Sequence, residues 1–453
     1  MKRRTVLTAA ALAVPAVAID AAPAAASGRS LPPDTVTTVA RSVAARTDRR
    51  PVAGGVHDAR AGKTFISWGG AHEDNYVQAY DHRTDTWSAP VLVAGGDNDS
   101  HNYPTLVQAD DGHLLVFRGL HNRELWVARS PAPHSIDGVW TDTIIPEGLG
   151  ATYPMPVKTR DGSIFVFIRE TAGDFDKAYP TDTRPMKYVR STDHGRTWRS
   201  SADLTGDRWC IAPLDRADNM NEIYIGQLRY EPAGPGRPER IAVVYTLAGG
   251  GPEGHLHDRY HRNIYYATFS PGDLHWRSAT GHDLGTSIDD ADQEAHLLVA
   301  RTELQTTNPR SPDYISLVGS TAGGALPFVV WMQLDAAAQV HVHSAVHLPV
   351  VGWRNRELTT GVRVRDMERV DELTWRIYAT PDAGAPAGIQ TFELHLGTAL
   401  RAETTIATAQ PVQRIEVIDG HREPAHILAT GNSSARDVSV ADGDILVAGR
   451  RPR

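Results

Sequence analysis

The sequence STDHGRTW at residues 191–198 has the spacing of a tight hairpin turn that ends in a tryptophan. In the pattern Ser-x-Asp-x-Gly-x-Thr-Trp, the side chain of Asp193 can cap backbone amides, and Gly195 can take the positive φ that other residues avoid. Trp198 then supplies a ring that packs between neighbouring sheets. Weaker versions of the turn occur at 80–87 (YDHRTDTW) and 269–276 (FSPGDLHW). We interpret these turns as structural, and their recurrence predicts a fold built from a repeated hairpin unit.

Short apolar runs separated by Gly, Asp and Asn turns continue through the rest of the chain, and helical periodicity is almost absent. The clearest runs are 64–70, 113–119, 163–170, 222–230, 240–248, 263–269, 314–320, 328–334, 375–381 and 389–396. The turn at 191–198 resembles the Asp-box found in sialidase-type propellers. With four strands and roughly 50–60 residues per unit, the chain holds about seven units. We therefore predict an all-β fold, a seven-bladed β-propeller of four-stranded antiparallel blades; a β-sandwich with insertions explains the Asp-box less well.

Residues 1–27 have the composition of an export signal. A basic segment at 2–4 (KRR) precedes an apolar run at 6–19, and alanines at 24–26 offer a cleavage site. The paired arginines resemble a twin-arginine signal, which exports proteins already folded. The apolar run is too short and too rich in alanine for a membrane anchor. We expect this signal peptide to be cleaved, the protein to be secreted, and residues 28–453 to form a single β-propeller catalytic domain.

Composition narrows the classes of partner. The net charge of −8 argues against nucleic acid, whose binding needs a basic surface. It does not exclude an acidic substrate, because a local cluster of Arg and His can bind an anion on an acidic protein. Cys210 is the only cysteine, so an intramolecular disulfide is impossible. We expect a monomer that binds neither nucleic acid nor a membrane.

Two histidines, His101 and His121, flank a predicted hairpin whose AspAspGly turn lies at 110–112. Each histidine lies about ten residues from the turn, so an antiparallel register brings both to the same open end. A single histidine is usually a satisfied structural group. Two histidines that meet at one end of a hairpin favour a shared functional site, since imidazoles titrate near neutral pH.

A second hairpin has the same plan. Tyr153 and Pro154 enter one strand, an AspGly turn follows at 161–162, and Arg169 closes the next strand. The Tyr-Pro pair at 103–104 occurs at the equivalent place in the first hairpin, which supports a common register. Tyr153 and Arg169 are therefore expected near the two histidines.

Two His, a Tyr and an Arg at one rim suit β-elimination on a uronic acid. The proton on carbon 5 becomes removable only when the neighbouring carboxylate is neutralised, which calls for Arg or protonated His. His and Tyr can then act as general base and general acid. A hydrolase would need two carboxylates at a defined separation, and no such pair stands at equivalent blade positions. Two alternatives stay open: a sialidase-like glycoside hydrolase using Arg118, Arg169 and Arg229, and a non-catalytic carbohydrate-binding propeller.

The two hairpins resemble a known family. DSHNYP with DDGHLLVF and a following His, then TYP with DGSIFVFIR, are similar to the seven-bladed propeller polysaccharide lyases with BNR-like repeats, which include ulvan lyases and rhamnose–glucuronate lyases. The resemblance implies cleavage of a rhamnose–uronate linkage in an acidic polysaccharide, with an unsaturated uronate left on the new non-reducing end. It also implies an active site of His101, His121, Tyr153 and Arg169.

By that resemblance, Tyr153 and His101 transfer protons, with the choice of base and acid open, while Arg169 and His121 neutralise the carboxylate. Asn102 is expected to bind the substrate carboxylate or a hydroxyl, or to cap a turn. Tyr230 is a candidate to stack on a sugar, with a packed blade tyrosine as the alternative.

A further histidine cluster lies at 255–263 (HLHDRYHRN). His257 and His261, together with Cys210, could hold a structural metal ion, zinc or calcium. Alternatively, His261 lines the substrate groove. The chemistry itself requires no cofactor.

Overall fold

Antiparallel β-strands dominate the computed structural model of the chain, which describes residues 31–44, 53–119, 121–234 and 236–451. The predicted all-β class is confirmed. The predicted signal peptide, residues 1–27, lies outside the described residues. In the part of the chain that the structure describes, no helix combines the length and the hydropathy that a bilayer crossing needs.

The strands are short and follow one another closely along the chain. Numbered in chain order, they are β1 Thr35–Val43, β2 Gly55–Asp58, β3 Lys63–Gly69, β4 Asn75–Asp81, β5 Thr86–Trp87, β6 Val91–Ala94, β7 Thr105–Gln108, β8 Leu114–Gly119, β9 Leu125–Arg129, β10 Thr141–Ile145, β11 Ala151–Lys158, β12 Ile164–Glu170, β13 Met186–Ser191, β14 Arg199–Ser200, β15 Glu222–Glu231, β16 Arg240–Gly249, β17 Tyr260–Phe269, β18 Trp276–Arg277, β19 Asp283–Gly285, β20 Leu298–Ala300, β21 Ser316–Thr321, β22 Leu326–Leu334, β23 Val340–Leu348, β24 Gly352–Thr360, β25 Val362–Arg369, β26 Thr374–Pro381, β27 Gly388–His395, β28 Ala399–Ala407, β29 Val412–Arg422, β30 Ala425–Gly431 and β31 Gly443–Gly449.

Helical segments are brief and lie in the connections between strands. The α-helical turns are α1 Ala172–Phe175, α2 Ser201–Thr205 and α3 Asp290–Asp292, and a π-helical turn spans Gln293–Leu297. Four 3-10 turns among the described residues lie at Ala71–Glu73, Pro146–Gly148, Gly251–Glu253 and Ala322–Gly324.

The strands pair into sheets of consecutive neighbours. Four sheets have four antiparallel strands each, β7–β10, β11–β14, β21–β24 and β25–β28, and a fifth holds β15–β20. The remaining sheet has nine strands and consists of two antiparallel groups, β2–β6 and β29–β31 with β1. A single parallel bridge, Val56 to Asp419, joins these two groups. Consecutive antiparallel units of this kind are the arrangement expected of a propeller-like fold.

The turn at 191–198 has the predicted structure. Asp193 Oδ1 accepts hydrogen bonds from the backbone amides of Arg196 at 3.1 Å and Thr197 at 2.9 Å. Gly195 has φ +80°, and the ring of Trp198 packs edge-on against Phe117 of β8 in the preceding sheet, with centroids 5.6 Å apart. The prediction that this turn is structural and links neighbouring sheets is confirmed.

The hydrophobic core lies between sheet faces rather than in one central mass. One buried cluster combines Leu115 and Phe117 of the β7–β10 sheet with Ile164 and Val166 of the β11–β14 sheet. Equivalent clusters fill the spaces between other neighbouring sheets. The faces are apolar because alternate residues of each strand point toward the same side.

The first strands of successive sheets lie next to one another. Strand β7 contacts β2 and β11, β11 contacts β15, and β25 contacts both β21 and β29. These strands surround a cavity of about 640 Å³, which is lined near the far ends of β7, β11, β15 and β25. His101 and Tyr153 lie at the near ends, where β7 and β11 begin.

Candidate active site

The first hairpin brings the two predicted histidines into contact. Strands β7 and β8 pair antiparallel from Thr105–Phe117 to Gln108–Leu114, with the turn between them. His101 precedes β7 and His121 follows β8, so both lie at the open end. Their rings stack with centroids 3.8 Å apart and an interplanar angle of 20°. The predicted meeting of these histidines is confirmed.

One carboxylate holds both rings. Asp99 Oδ1 lies 2.5 Å from Nδ1 of His101, and Asp99 Oδ2 lies 2.6 Å from Nδ1 of His121. Partial burial opposes ionisation of Asp99, but the hydrogen bonds from the two histidines outweigh it and hold the pKa of this carboxyl far below its usual range. With each Nδ1–H donated to Asp99, the carboxylate fixes the tautomer and the orientation of both rings.

Tyr153 is aimed at this pair by a local irregularity in β11. The β11–β12 pairing steps from Thr152–Arg169 to Met155–Phe167, so β11 carries an extra residue there. Tyr153 adopts φ +58°, a conformation that a bulky side chain takes only when its surroundings enforce it. Its ring centroid lies 5.6 Å from that of His101. The bulge thus turns the phenol toward the histidines.

Arg169 lies beneath the aromatic floor of the site. Its guanidinium carbon is 4.7 Å from the ring centroid of Tyr153 and 4.5 Å from that of Tyr224, and its side chain is 1% exposed. Its Nε and Nη1 have no hydrogen-bond partner within the described residues. Burial opposes the charge, but the attraction of Tyr224, Tyr153 and Glu222 keeps the pKa of Arg169 above its ordinary value. The site therefore contains a permanent cation with unused donors.

Glu222, at the start of β15, balances part of this charge. Its side chain is fully buried and lies 3.9 Å from Nη1 of Arg169 and 3.5 Å from Nε of Arg184. His257 holds the same carboxylate from the outside, with Nδ1 2.7 Å from Oε2. Two buried arginines share this one carboxylate, so positive charge is in excess at this point of the site, which suits the carboxylate of an anionic substrate.

Sequence reasoning missed Asp99, Glu222 and Tyr224. Asp99 lies only two residues before His101, and this spacing was a usable signal. Glu222 and Tyr224 come from a different sheet, more than 100 positions from Asp99, and no motif marks them. Burial raises the pKa of Tyr224, so its phenol stays protonated over the neutral range.

His261 does not line an open groove. Its side chain is 1% exposed, its Nδ1 lies 2.9 Å from the carbonyl of Pro312, and its Nε2 lies 2.8 Å from Asp258. Burial opposes ionisation of Asp258, but the hydrogen bond from His261 outweighs it and holds the pKa at about 2. The ring lies 5.3 Å from that of Tyr224, so His261 supports the floor of the site from below.

The predicted metal ligands are not brought together. Cys210 is fully buried in an apolar cluster with Phe167, Met186 and Tyr188, and burial raises the pKa of its thiol, whereas a metal ligand must be a thiolate. His257 and His261 bind Glu222 and Asp258 instead. Among the described residues, neither of the two clusters of three metal-ligating groups contains any member of the predicted set.

Asn102 has the structural alternative of its two expected roles, and Tyr230 lies apart from the histidine–tyrosine cluster. Asn102 is fully buried and its amide donates to Asp97, so it supports the loop that carries His101, the structural role considered above. Tyr230 lies six residues beyond Tyr224 on β15, about 20 Å along the strand. Its hydroxyl donates to Glu239 at 2.6 Å. Tyr230 therefore lies outside the cluster and belongs to the opposite end of the fold.

Comparison with known proteins places the chain in a family. Residues 63–360 match the model of the BNR repeat-containing family. An ulvan lyase of family PL25 from Pseudoalteromonas sp. (strain PLSV) is 26% identical over 318 residues, 62% of this chain and 60% of the relative. An ulvan lyase from Alteromonas sp. (strain LOR) is 24% identical over 257 residues, 50% of this chain and 48% of the relative. The chain thus spans about half to three fifths of the curated relatives it matches.

A solved structure shows the same fold. A PL25 ulvan lyase bound to -[GlcA(1-4)Rha3S]- superposes with a TM-score of 0.68 at 18% identity, covering 93% of this chain and 96% of that chain. The resemblance to ulvan lyases indicated by the two hairpins is confirmed by these similarities. The family model matches about two thirds of the sequence, and on that basis this chain belongs to the BNR repeat-containing family.

Proposed function

We propose that this protein is a polysaccharide lyase that cleaves a rhamnose-α-1,4-glucuronate linkage by β-elimination, on the site formed by His101, His121, Tyr153 and Arg169. The observation that carries the proposal is the buried Arg169 cation, with unused donors, directly beneath a tyrosine that faces two carboxylate-bound histidines. We also propose that the sheets are the seven blades of a propeller, with the nine-stranded sheet counted as two blades.

The site meets the first requirement of the reaction, neutralising the uronate carboxylate. Removing the carbon 5 proton places negative charge on that carboxylate, and a fixed cation in a water-poor environment stabilises it. Arg169 is such a cation, and Arg184 adds a second positive charge next to Glu222. His121, more exposed than Arg169, offers the outer contact to the same anion.

Proton transfer is shared between Tyr153 and His101. One of them takes the proton from carbon 5, the electron pair forms the double bond to carbon 4, the bond from carbon 4 to oxygen breaks, and the other group protonates the departing oxygen. Asp99 fixes the orientation of the His101 ring for this step by accepting a hydrogen bond from Nδ1. The short distance between the two rings lets one sugar reach both groups.

The choice of substrate is supported by the proteins that this chain resembles. Two curated relatives are ulvan lyases, and a structure of the same fold binds glucuronate linked to sulfated rhamnose. We therefore propose ulvan or a related acidic, rhamnose-containing polysaccharide as the substrate.

The sialidase-like alternative lacks its arginine cluster. Arg118 is paired with Asp142 through two hydrogen bonds of 2.8 and 2.6 Å. Arg229 donates to the carbonyls of Val318 and Met367, next to Tyr230 at the far end of β15. Of the three arginines considered from the sequence, only Arg169 contacts the tyrosine–histidine cluster.

We further propose that the protein is secreted as a monomer through its twin-arginine-like signal. Two results would support export through this signal: a mature N-terminus near residue 28 in the exported protein, and loss of export when Arg3 and Arg4 are both changed to lysine.

The function is tested by following ultraviolet absorbance from the new carbon–carbon double bond on ulvan, gum arabic-type glycans and pectic polymers. We expect product from ulvan and a fall in kcat of at least about a hundredfold for Tyr153→Phe, because the variant lacks the transferable proton. Tyr230→Phe is the matched control and should keep wild-type activity, since Tyr230 lies outside the site. Full activity of Tyr153→Phe, or products without the double bond, would reject the proposal.

A further inference from the structure

A second carboxylate holds two histidines at the far end of the fold. Glu368 lies near the end of β25, His421 near the end of β29 and His426 at the start of β30. Oε2 of Glu368 lies 3.1 Å from Nε2 of His421 and 2.9 Å from Nε2 of His426. The two imidazole rings stack with centroids 3.7 Å apart and an interplanar angle of 11°. Three ligand atoms therefore converge on one point.

These separations suit a metal ion. Zinc binds imidazole nitrogen and carboxylate oxygen at about 2.0–2.1 Å, so ligand atoms at a tetrahedral angle lie about 3.3 Å apart. The distances from Oε2 of Glu368 to the two nitrogens are within a few tenths of an ångström of that value. An ion could enter with little movement of the side chains.

Outer contacts already orient two of the three ligands, His426 and Glu368. Nδ1 of His426 lies 3.0 Å from Oε1 of Glu423, which leaves Nε2 of His426 as the metal-binding atom. Oε1 of Glu368 accepts hydrogen bonds from Arg376 at 2.9 Å and from Tyr378 at 2.8 Å. The other oxygen, Oε2, is thus turned toward the histidines.

The charge around the cluster leaves room for a dication. Glu368, Glu423 and Glu403 carry three negative charges, and Arg376, which binds both Glu368 and Glu403, carries one positive charge. With both imidazoles neutral, as metal binding requires, these four groups sum to −2, and Arg229, which also interacts with Glu368, offsets one of those charges. The surroundings therefore remain negative and favour a cation. Buried charges are costly unless they are paired in this way.

We propose that Glu368, His421 and His426 bind one zinc ion. Two imidazoles and one carboxylate favour zinc over calcium or magnesium, which prefer oxygen ligands alone. An entry path exists, because Glu368 and His421 line the cavity of about 640 Å³ described above. The ion links β25 of one sheet to β29 and β30 of its neighbour, and so adds a cross-link between adjacent sheets.

The Asp99 cluster is a weaker candidate for the same ion. There, each oxygen of Asp99 binds a different ring, so the ligand atoms do not converge on one oxygen as they do at Glu368. Both rings bind Asp99 through Nδ1. The proposal therefore assigns zinc to the Glu368 cluster alone.

The test measures zinc stoichiometry of the full chain, first stripped by a chelator and then dialysed against zinc. Wild type should hold one zinc per chain and melt at a higher temperature with zinc than with chelator. His421→Ala should weaken binding by at least about a hundredfold, and Glu423→Gln by roughly tenfold to a hundredfold. His421 is 26% exposed, so its removal should leave the fold intact. His101→Ala, which removes a histidine of the other cluster, is the control and should bind zinc as wild type does.

Cobalt provides a readout that needs no variant. Cobalt bound by two nitrogens and an oxygen should give the visible spectrum of a four- or five-coordinate ion, absent after zinc is added in excess. Less than a tenth of an equivalent of zinc in wild type would overturn the proposal and leave the cluster as an ion-pair network. Loss of zinc in His101→Ala with retention in His421→Ala would overturn it too, by moving the site to Asp99.

Discussion

Asp99 accepts hydrogen bonds from two histidine rings with its two oxygens, and this arrangement sets the tautomer of both. We predict that Asp99→Asn lowers kcat on ulvan by about a hundredfold, because an amide nitrogen would face one Nδ1–H and turn that ring. Steady-state kinetics with the absorbance assay measure the effect. The melting temperature should change little, since Asp99 is 34% exposed.

Asp283→Asn is the matched control for this prediction. Asp283 also binds a histidine through Nδ1, His275, at 2.8 Å, but both side chains are exposed and belong to a different region of the chain. Wild-type kcat is expected for this variant. Equal kcat for Asp99→Asn and wild type would mean that the carboxylate does not position the catalytic ring.

At the scale of the element, the Asp-box turn at 191–198 should make the free energy of unfolding depend on pH in the acid range. Partial burial opposes ionisation of Asp193, but hydrogen bonds from Thr197, Arg196 and Ser191 hold its pKa at about 2. Because this folded-state pKa lies below the unfolded value of about 3.9, the stabilisation is complete above pH 4 and is lost as pH falls toward 2. The carboxylate is partly exposed, so screening limits the contribution to about 1 kcal/mol.

We therefore expect Asp193→Ala to lower the free energy of unfolding by about 1 kcal/mol at pH 7 and by less at pH 3. Guanidinium unfolding curves at the two pH values measure the difference. Thr192→Ala, at an exposed and uncharged position of the same turn, is the control and should leave the free energy of unfolding close to that of wild type at both pH values. If Asp193→Ala lowered the free energy of unfolding equally at both pH values, the ionised carboxylate of Asp193 would not be the source of the stabilisation.

Contacts within a single hairpin could be predicted from the sequence. His101 and His121 could be placed together because the register of a hairpin depends on its own turn and alternation. Tyr153 and Arg169 followed from the repetition of that hairpin. For Tyr230 the sequence left two roles open, because β15 runs for ten residues and a correct strand does not show which of its ends faces the site.

At the scale of the whole molecule, contacts between sheets escaped prediction. Tyr224 and Glu222 reach the site from a third sheet, and only the packing of sheet on sheet brings them to Arg169. Cys210 was offered as a metal ligand because spacing alone cannot distinguish a core residue from a surface one. A second stacked pair of histidines, His421 and His426, meets Glu368 from a neighbouring sheet.

The first and last described strands, β1 and β31, lie side by side in one sheet. Strand β1 pairs with β31 from Thr35–Gly449 to Val43–Gly443, so the outer edge of the last strand is covered by the first. Val43 is 1% exposed and packs in the same buried cluster as Trp68 and Val447. Without β1, the edge of β31 would present unpaired backbone groups to solvent and to other chains.

We predict that a chain beginning at residue 45 has a free energy of unfolding lower by about 3 kcal/mol or more than one beginning at residue 28, from the lost burial of Val43 and the lost strand pairing. It should also form aggregates, because an open strand edge recruits further strands. Thermal unfolding and size-exclusion chromatography of the two chains measure both effects. A truncated chain with the same melting temperature and a single monomer peak would show that β1 covers the edge without stabilising the fold.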